Sequence, residues 1–244
     1  MMILSGKSDA GLRRCNNEDA FIIQPESGFC ALADGMGGAA CGEIASRIFV
    51  ETALEVFSKM KEGERCEREI IEAVYTVFMM ANERIRMNGK ENSERRGMGC
   101  TAELLAFYNR HIVLGHVGDS RTYLLRDTLR QLTNDHSLVQ EQMNKGIITS
   151  MEAKKHRLRN IILRAVGVCE KLEIDLIRGE IMPGDIFLLC SDGLTDMVDE
   201  ASITRILSMH DALARKAEQL IEAAKAAGGL DNITVILCQV PISE

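Results

Sequence analysis

Apolar residues in this chain follow two rhythms: short unbroken runs, and longer stretches in which they recur every third or fourth position. Phe29-Cys30-Ala31-Leu32-Ala33 is an unbroken run that stops at Asp34 and a glycine cluster, the pattern of a strand buried on both faces. Ala45, Ile48, Ala53, Val56 and Met60 then recur at nearly helical spacing, and Ile70, Val74, Val77, Ala81 and Ile85 follow at steps of three and four. Two helices lying on a sheet are predicted. The joint between them, residues 61–69, is almost wholly charged, and residues 86–99 are polar with glycine, which reads as a loop. From Thr101 the period becomes that of strands: 101–108, a turn at Asn109-Arg110, then 112–114 and 121–125 as consecutive antiparallel strands. Residues 137–166 turn helical and basic, and the buried runs 186–190 and 233–237 enclose an alanine-rich helix near 212–227. Two sets of strands with helix pairs between them predict an α+β fold, helices packed on antiparallel sheet.

Length and charge narrow the picture. With 244 residues and no internal repeat or low-complexity linker, one domain covering 1–244 is expected. A formal net charge of −7 lacks the attraction to a phosphate backbone on which nucleic-acid binders depend. The eight cysteines are scattered without a C-x-x-C pair, so neither a zinc ribbon nor a redox motif is indicated. No run of about 18 apolar residues could span a bilayer, and a reduced, cytoplasmic, soluble chain is expected.

Candidate chemistry sits where strands stop. Asp34-Gly35, Gly118-Asp119 and Asp192-Gly193 each follow an apolar run, and Asp231 stands between Gly228-Gly229 and the last strand. Strand ends hold side chains in fixed mutual geometry, and glycine lets backbone and ligand come close. A lone Asp beside Gly is an ordinary turn signal; four of them suggest one site. Oxygen donors without His or Cys suit hard cations such as Mg²⁺ or Mn²⁺.

These residues carry a resemblance. Asp9-x-Gly11-x-x-Arg14-x-x-Asn17-Glu18-Asp19, Ala33-Asp34-Gly35-Met36-Gly37-Gly38, Gly118-Asp119-Ser120-Arg121, Asp135-His136-Ser137, Ser191-Asp192-Gly193-Leu194 and Gly229-Leu230-Asp231-Asn232-Ile233-Thr234-Val235 occur in that order. From about residue 8 to 240 the chain resembles the metal-dependent protein phosphatases of the PP2C type, in their compact bacterial serine/threonine form. The resemblance implies a four-layer αββα sandwich, two antiparallel sheets flanked by helix pairs, with a flap subdomain around 137–166. It implies that Asp34 bridges two metals, that the Gly35 carbonyl serves one and Asp192 and Asp231 the other, and that Glu18 and Asp19 hold metal-bound waters. Asp119, with Asp192, matches a weaker third site, and Arg14 matches the arginine that grips the substrate phosphate. The implied reaction is hydrolysis of phosphoserine and phosphothreonine by a hydroxide shared between two Mn²⁺ or Mg²⁺ ions. Phosphorylated proteins, a Hanks-type kinase acting on the same substrates, a monomeric state and no nucleic-acid or membrane partner complete the expectation.

Some positions depart from the family pattern. Met36 stands where animal members often carry a histidine proposed as general acid, so the leaving-group proton would come from metal-bound water or matter less. Arg157 and Leu163 replace the usual Pro and Thr of the flap. A dinucleotide fingerprint, Gly35-x-Gly37-x-x-Ala40, is the rival from another class, but the helix after it leads to a charged joint and a second helix. A catalytically weak phosphoprotein-binding member is a second alternative, opposed by the intact Asp34, Asp192 and Asp231. His116 reads as a hydrogen-bonded core residue and His136 as structural. Lys154, Lys155, Arg157, Arg159 and Arg164 form a basic cluster that either is simply solvated or draws phosphorylated segments to the flap.

Overall fold

Every residue from Phe29 to Ala33 is fully buried in the computed structural model, which describes residues 2–37, 41–60 and 65–242. The run is unbroken because it has an apolar layer on each side. Phe29, Ala31 and Ala33 point into one cluster, while Cys30 and Leu32 point into another.

The chain opens with β1 (Ile3–Asp9), β2 (Asp19–Gln24) and β3 (Phe29–Met36), then helices α1 (Gly42–Ser58) and α2 (Glu67–Glu91). Strands β4 (Gly99–Cys100), β5 (Ala102–Tyr108), β6 (His111–Val117), β7 (Arg121–Leu125) and β8 (Leu129–Gln131) follow. Two short helices, α3 (Leu138–Asn144) and α4 (Ser150–Lys155), precede β9 (Asp175–Glu180) and β10 (Ile186–Cys190). Helices α5 (Asp192–Thr195), α6 (Glu200–Leu207) and α7 (Leu213–Ala226) lead to β11 (Ile233–Gln239). One sheet has the order β1-β11-β10-β7-β8 and the other β2-β3-β5-β6-β9, with β4 beside β3. Every pairing is antiparallel.

Three apolar layers hold this together. Phe49, Phe57, Val74 and Phe78 of α1 and α2 cover one sheet, with Phe29 stacked on Phe57 at 4.3 Å between ring centroids. Ile203, Leu207, Leu220 and Ile221 of α6 and α7 cover the other. Between the sheets lie Leu32, Leu105, Leu114, Phe187, Leu189 and Ile236. The result is a four-layer αββα sandwich of the α+β class. β3 enters neither a parallel sheet nor a β-α-β unit, as dinucleotide binding would need; Ala40 of that fingerprint lies outside the described residues.

The structure corrects several boundaries. α2 starts at Glu67, inside the expected charged joint, whose residues 61–64 lie outside the described residues, and continues to Glu91, into the first part of the expected loop. Glu69 caps its first turn by accepting from the Cys66 N–H at 3.0 Å, so charges there begin a helix. Residues 137–166 hold only two short helices, and the segment is tied at its ends by pairing of Ser137 with Ile162. β1, β2 and β9 add strands beyond those the pattern predicts, although β2 holds a short apolar run at residues 20–23. In β1 the reason is Gly6, where an added Cβ would sit 2.5 Å from the Phe21 ring.

β1 ends in a small electrostatic clamp. Asp9 accepts from Lys225 Nζ on α7 at 3.0 Å and from the Gly11 N–H at 2.9 Å. Partial burial opposes ionisation, but these partners prevail and hold the carboxyl below its usual 3.8. Its stabilisation is therefore present above pH 3.8 and lost as pH falls through the lower folded value. Asp9→Asn is expected to cost roughly 1 kcal/mol at neutral pH, with the gap from wild type closing in acid, as urea denaturation across pH would show.

Candidate active site

One end of the sandwich collects the predicted carboxylates, and the register explains how. Asp19 and Asp34 are direct partners in the β2–β3 ladder. The Asp34 main chain is clamped by Thr101, whose N–H donates to the Asp34 carbonyl at 2.9 Å and whose Oγ1 accepts from the Asp34 N–H at 3.3 Å. Asp192 opens α5 immediately beyond β10, and Asp119 follows Gly118 at the end of β6. Asp231 precedes β11 and accepts from Arg14 Nη2 at 2.7 Å across an exposed rim.

The backbone around Gly35 is packed too tightly for a side chain. A Cβ there would lie 2.2 Å from the Gly42 carbonyl oxygen, and one on Gly42 would lie 2.6 Å from Glu18 Oε2. Gly35 N–H donates to the Glu18 carbonyl at 3.0 Å, so Glu18 and Gly35 share one corner of the cleft.

The carboxylates repel one another. Burial first, then the charges of Asp19, Asp192, Asp119 and Asp231, push Asp34 well above the carboxylate range. Burial and then Asp119, Asp196, Asp231 and Asp19 do the same to Asp192. Asp19 is pushed up to about 6 by burial even though Thr234 and Ser191 donate to its Oδ2, at 2.6 and 2.9 Å. Asp119 is pushed up to about 6 by burial and then by Asp135.

Such a cluster fits a divalent cation. Asp19 Oδ1 is buried without a hydrogen-bond partner, and an orphaned carboxylate oxygen among other carboxylates invites a positive ion. The donors are all oxygen, which suits Mg²⁺ or Mn²⁺. Among the described residues, no three Asp, Glu, His or Cys side chains already form a finished metal cage. The fit therefore rests on donor chemistry and mutual repulsion.

A family model described as Protein phosphatase 2C matches residues 13–229. The chain belongs to the protein phosphatase 2C family. It is 37% identical over 237 residues to the serine/threonine phosphatase stp of Listeria innocua, spanning 96% of this chain and 94% of that one. Among solved structures, the serine/threonine phosphatase of S. agalactiae has a TM-score of 0.90 at 35% identity, over 98% of this chain and 100% of that one. The catalytic domain of PstP, solved in complex with two manganese ions, has a TM-score of 0.88 at 35% identity, over 98% of each chain.

Within this phosphatase the fold brings Asp19, Asp34, Asp119, Asp192 and Asp231 into one electrostatic unit, with Glu18 and Arg14 at its edge. Asn232 has a part that its motif did not disclose. Its Oδ1 accepts from the Glu18 N–H at 2.8 Å, and its Nδ2 donates to the carbonyls of Ala10 and Asn16 at 3.0 and 2.8 Å. One amide thereby fixes the loop carrying Arg14. Ser191 and Thr234 were equally hidden, since each lies far in sequence from the Asp19 oxygen it serves. The basic cluster is partly neutralised: Arg159 pairs with Asp196 at 3.1 Å and Arg164 with Asp175 at 3.1 Å.

Proposed function

We propose that this chain is a serine/threonine protein phosphatase that hydrolyses phosphoserine and phosphothreonine with two Mn²⁺ or Mg²⁺ ions. The observation that carries the reading is the group of half-buried aspartates, drawn from remote parts of the chain, whose charges oppose one another around an unpartnered Asp19 oxygen. Family membership supplies the reaction, and the manganese complex of PstP supports the cofactor.

Asp34, the Gly35 carbonyl, Asp192 and Asp231 would hold the two ions, Glu18 and Asp19 their outer ligands, and Asp119 with Asp192 a third, weaker one. When bound, these ions supply Lewis acidity that makes water nucleophilic near neutral pH and offsets charge on the phosphoryl oxygens. The protein's own residues do the rest. Ser191 and Thr234 orient Asp19, and Thr101 fixes the strand end that carries Asp34. Arg14 stands at the rim with an exposed planar guanidinium that can grip two phosphate oxygens at once, exchanging its bond to Asp231 for the substrate.

Residues 137–166 act as a flap beside this cleft. A cavity of about 350 Å³ is lined both by Lys154 and Arg159 of this segment and by Asp119 and Asp192 of the cluster. A phosphorylated protein segment is the occupant, and a kinase of the Hanks type is the partner that makes such substrates. The chain works as a monomer in the cytoplasm. Among the described residues no helix is long and apolar enough to cross a membrane, and none of the eight cysteines is in a disulfide.

Hydrolysis of a phosphothreonine peptide and of p-nitrophenyl phosphate tests the reading. Turnover is expected with Mn²⁺, lost on adding EDTA and restored by excess metal. Activity that survives chelation overturns it.

A further inference from the structure

Two buried histidines lie behind the carboxylate cluster, with ring centroids 4.6 Å apart. His116 is a core residue: Nδ1 pairs with Glu103, which also accepts from Thr122 Oγ1 at 2.5 Å, and Nε2 faces the Asn134 carbonyl at 3.1 Å. His136 is different, because its polar atoms reach two functional elements.

On one side His136 holds a single residue, Gly118, by both of its main-chain polar groups. Its N–H donates to the Gly118 carbonyl at 2.7 Å, and its Nδ1 accepts from the Gly118 N–H at 3.1 Å. Gly118 has φ +116° and no space for a side chain, since a Cβ would meet Thr101 Cβ at 2.5 Å. This turn therefore has little slack, and Asp119 is the next residue. On the other side the His136 carbonyl accepts from the Leu163 N–H at 2.7 Å, where the 137–166 segment returns. Nε2 lies 3.2 Å from Asp175 Oδ2 and 3.3 Å from Arg164 Nη1.

The partners dictate the tautomer. A backbone N–H can only donate, so Nδ1 is the acceptor and a neutral ring carries its proton on Nε2. That proton goes to Asp175, and Arg164, also a donor only, bonds the other Asp175 oxygen at 3.1 Å. Burial first, then the nearby His116 charge, hold His136 below the ordinary histidine value, in keeping with a neutral ring.

We propose that His136, as the Nε2–H tautomer, is a positioning residue that sets the Gly118–Asp119 turn through Nδ1 and locks it to the returning end of the flap at Leu163 and Arg164. The proposal rests on the phosphatase reading for its effect on rate, but the tautomer can be read without turnover.

Two substitutions separate the two sides of the ring. His136→Asn keeps an acceptor at the Nδ1 position and cannot reach Asp175; His136→Gln reaches toward Asp175 and lacks that acceptor. With a phosphothreonine peptide and Mn²⁺, kcat is expected to fall roughly tenfold in His136→Gln, less than the ~10²-fold that a misplacement of about 1 Å costs. The loss in His136→Asn is expected to be clearly smaller, with the effect in kcat more than in KM. Nitrogen-15 NMR of histidine-labelled wild-type protein should show Nδ1 unprotonated and Nε2 protonated. Equal kcat losses in both variants that follow their melting temperatures, or a proton on Nδ1, overturn the proposal. If wild type shows no turnover, the phosphatase reading fails and the NMR result alone decides the role of His136.

Discussion

Asp34→Asn is expected to lower turnover of a phosphothreonine peptide by at least roughly 10³-fold in excess Mn²⁺, a loss of about 4 kcal/mol in transition-state stabilisation. The same variant should be the more stable protein in EDTA. Asp34 sits directly across the ladder from Asp19, and burial together with the Asp19, Asp192, Asp119 and Asp231 charges pushes its pKa up. Like charges placed opposite one another on adjacent strands destabilise a sheet. Asparagine keeps the shape and removes one of those charges, so a gain on the order of 1 kcal/mol is expected by urea denaturation without metal. The opposite signs are diagnostic. A structural carboxylate would lose stability on substitution, and a dispensable one would leave turnover intact; either result speaks against Asp34 as a metal ligand.

Phe187→Ala is expected to cost about 3–5 kcal/mol by urea denaturation. Phe187 is fully buried between the two sheets, edge-on to Phe107 with ring centroids 5.9 Å apart. The helix-covered layers could partly close over a lost side chain by sliding a helix. The central layer cannot, because each sheet is held in register by its ladders. Leu188→Ala, on the same strand but facing α6 and α7, is the comparison: an equal or larger cost there would show that the space between the sheets collapses as readily as the helix interface.

Legibility in the sequence depended on whether a residue's environment was local. β3 and β10 could be read as unbroken apolar runs because both faces of each strand meet an apolar layer. Asp34 and Asp192 were legible for the same reason, as the first charges where those runs end. β1 could not be read: Gly6 answers to the Phe21 ring, which is close only after β1 and β2 come together. The span of α2 was masked by charge, although Glu69 is a helix cap and the residues up to Glu91 continue the turn. Asp19 could be marked by its motif, but its unpartnered Oδ1 and the hydroxyls of Ser191 and Thr234 on Oδ2 exist only in the folded chain. Reading His136 as structural left out the Gly118 main chain and the return of the 137–166 segment at Leu163, both of which it bonds.

The pairing of β1 with β11 has a consequence for synthesis. Arg14, Glu18 and Asp19 emerge early from the ribosome, whereas Asp231, Asn232 and Thr234, which anchor them, are translated more than two hundred codons later. A nascent polypeptide that stops short of β11 would have no fixed place for the loop carrying Arg14 and Glu18, and contacts of such long range are made slowly. Dephosphorylation should therefore begin only once β11 has left the ribosome and paired with β1.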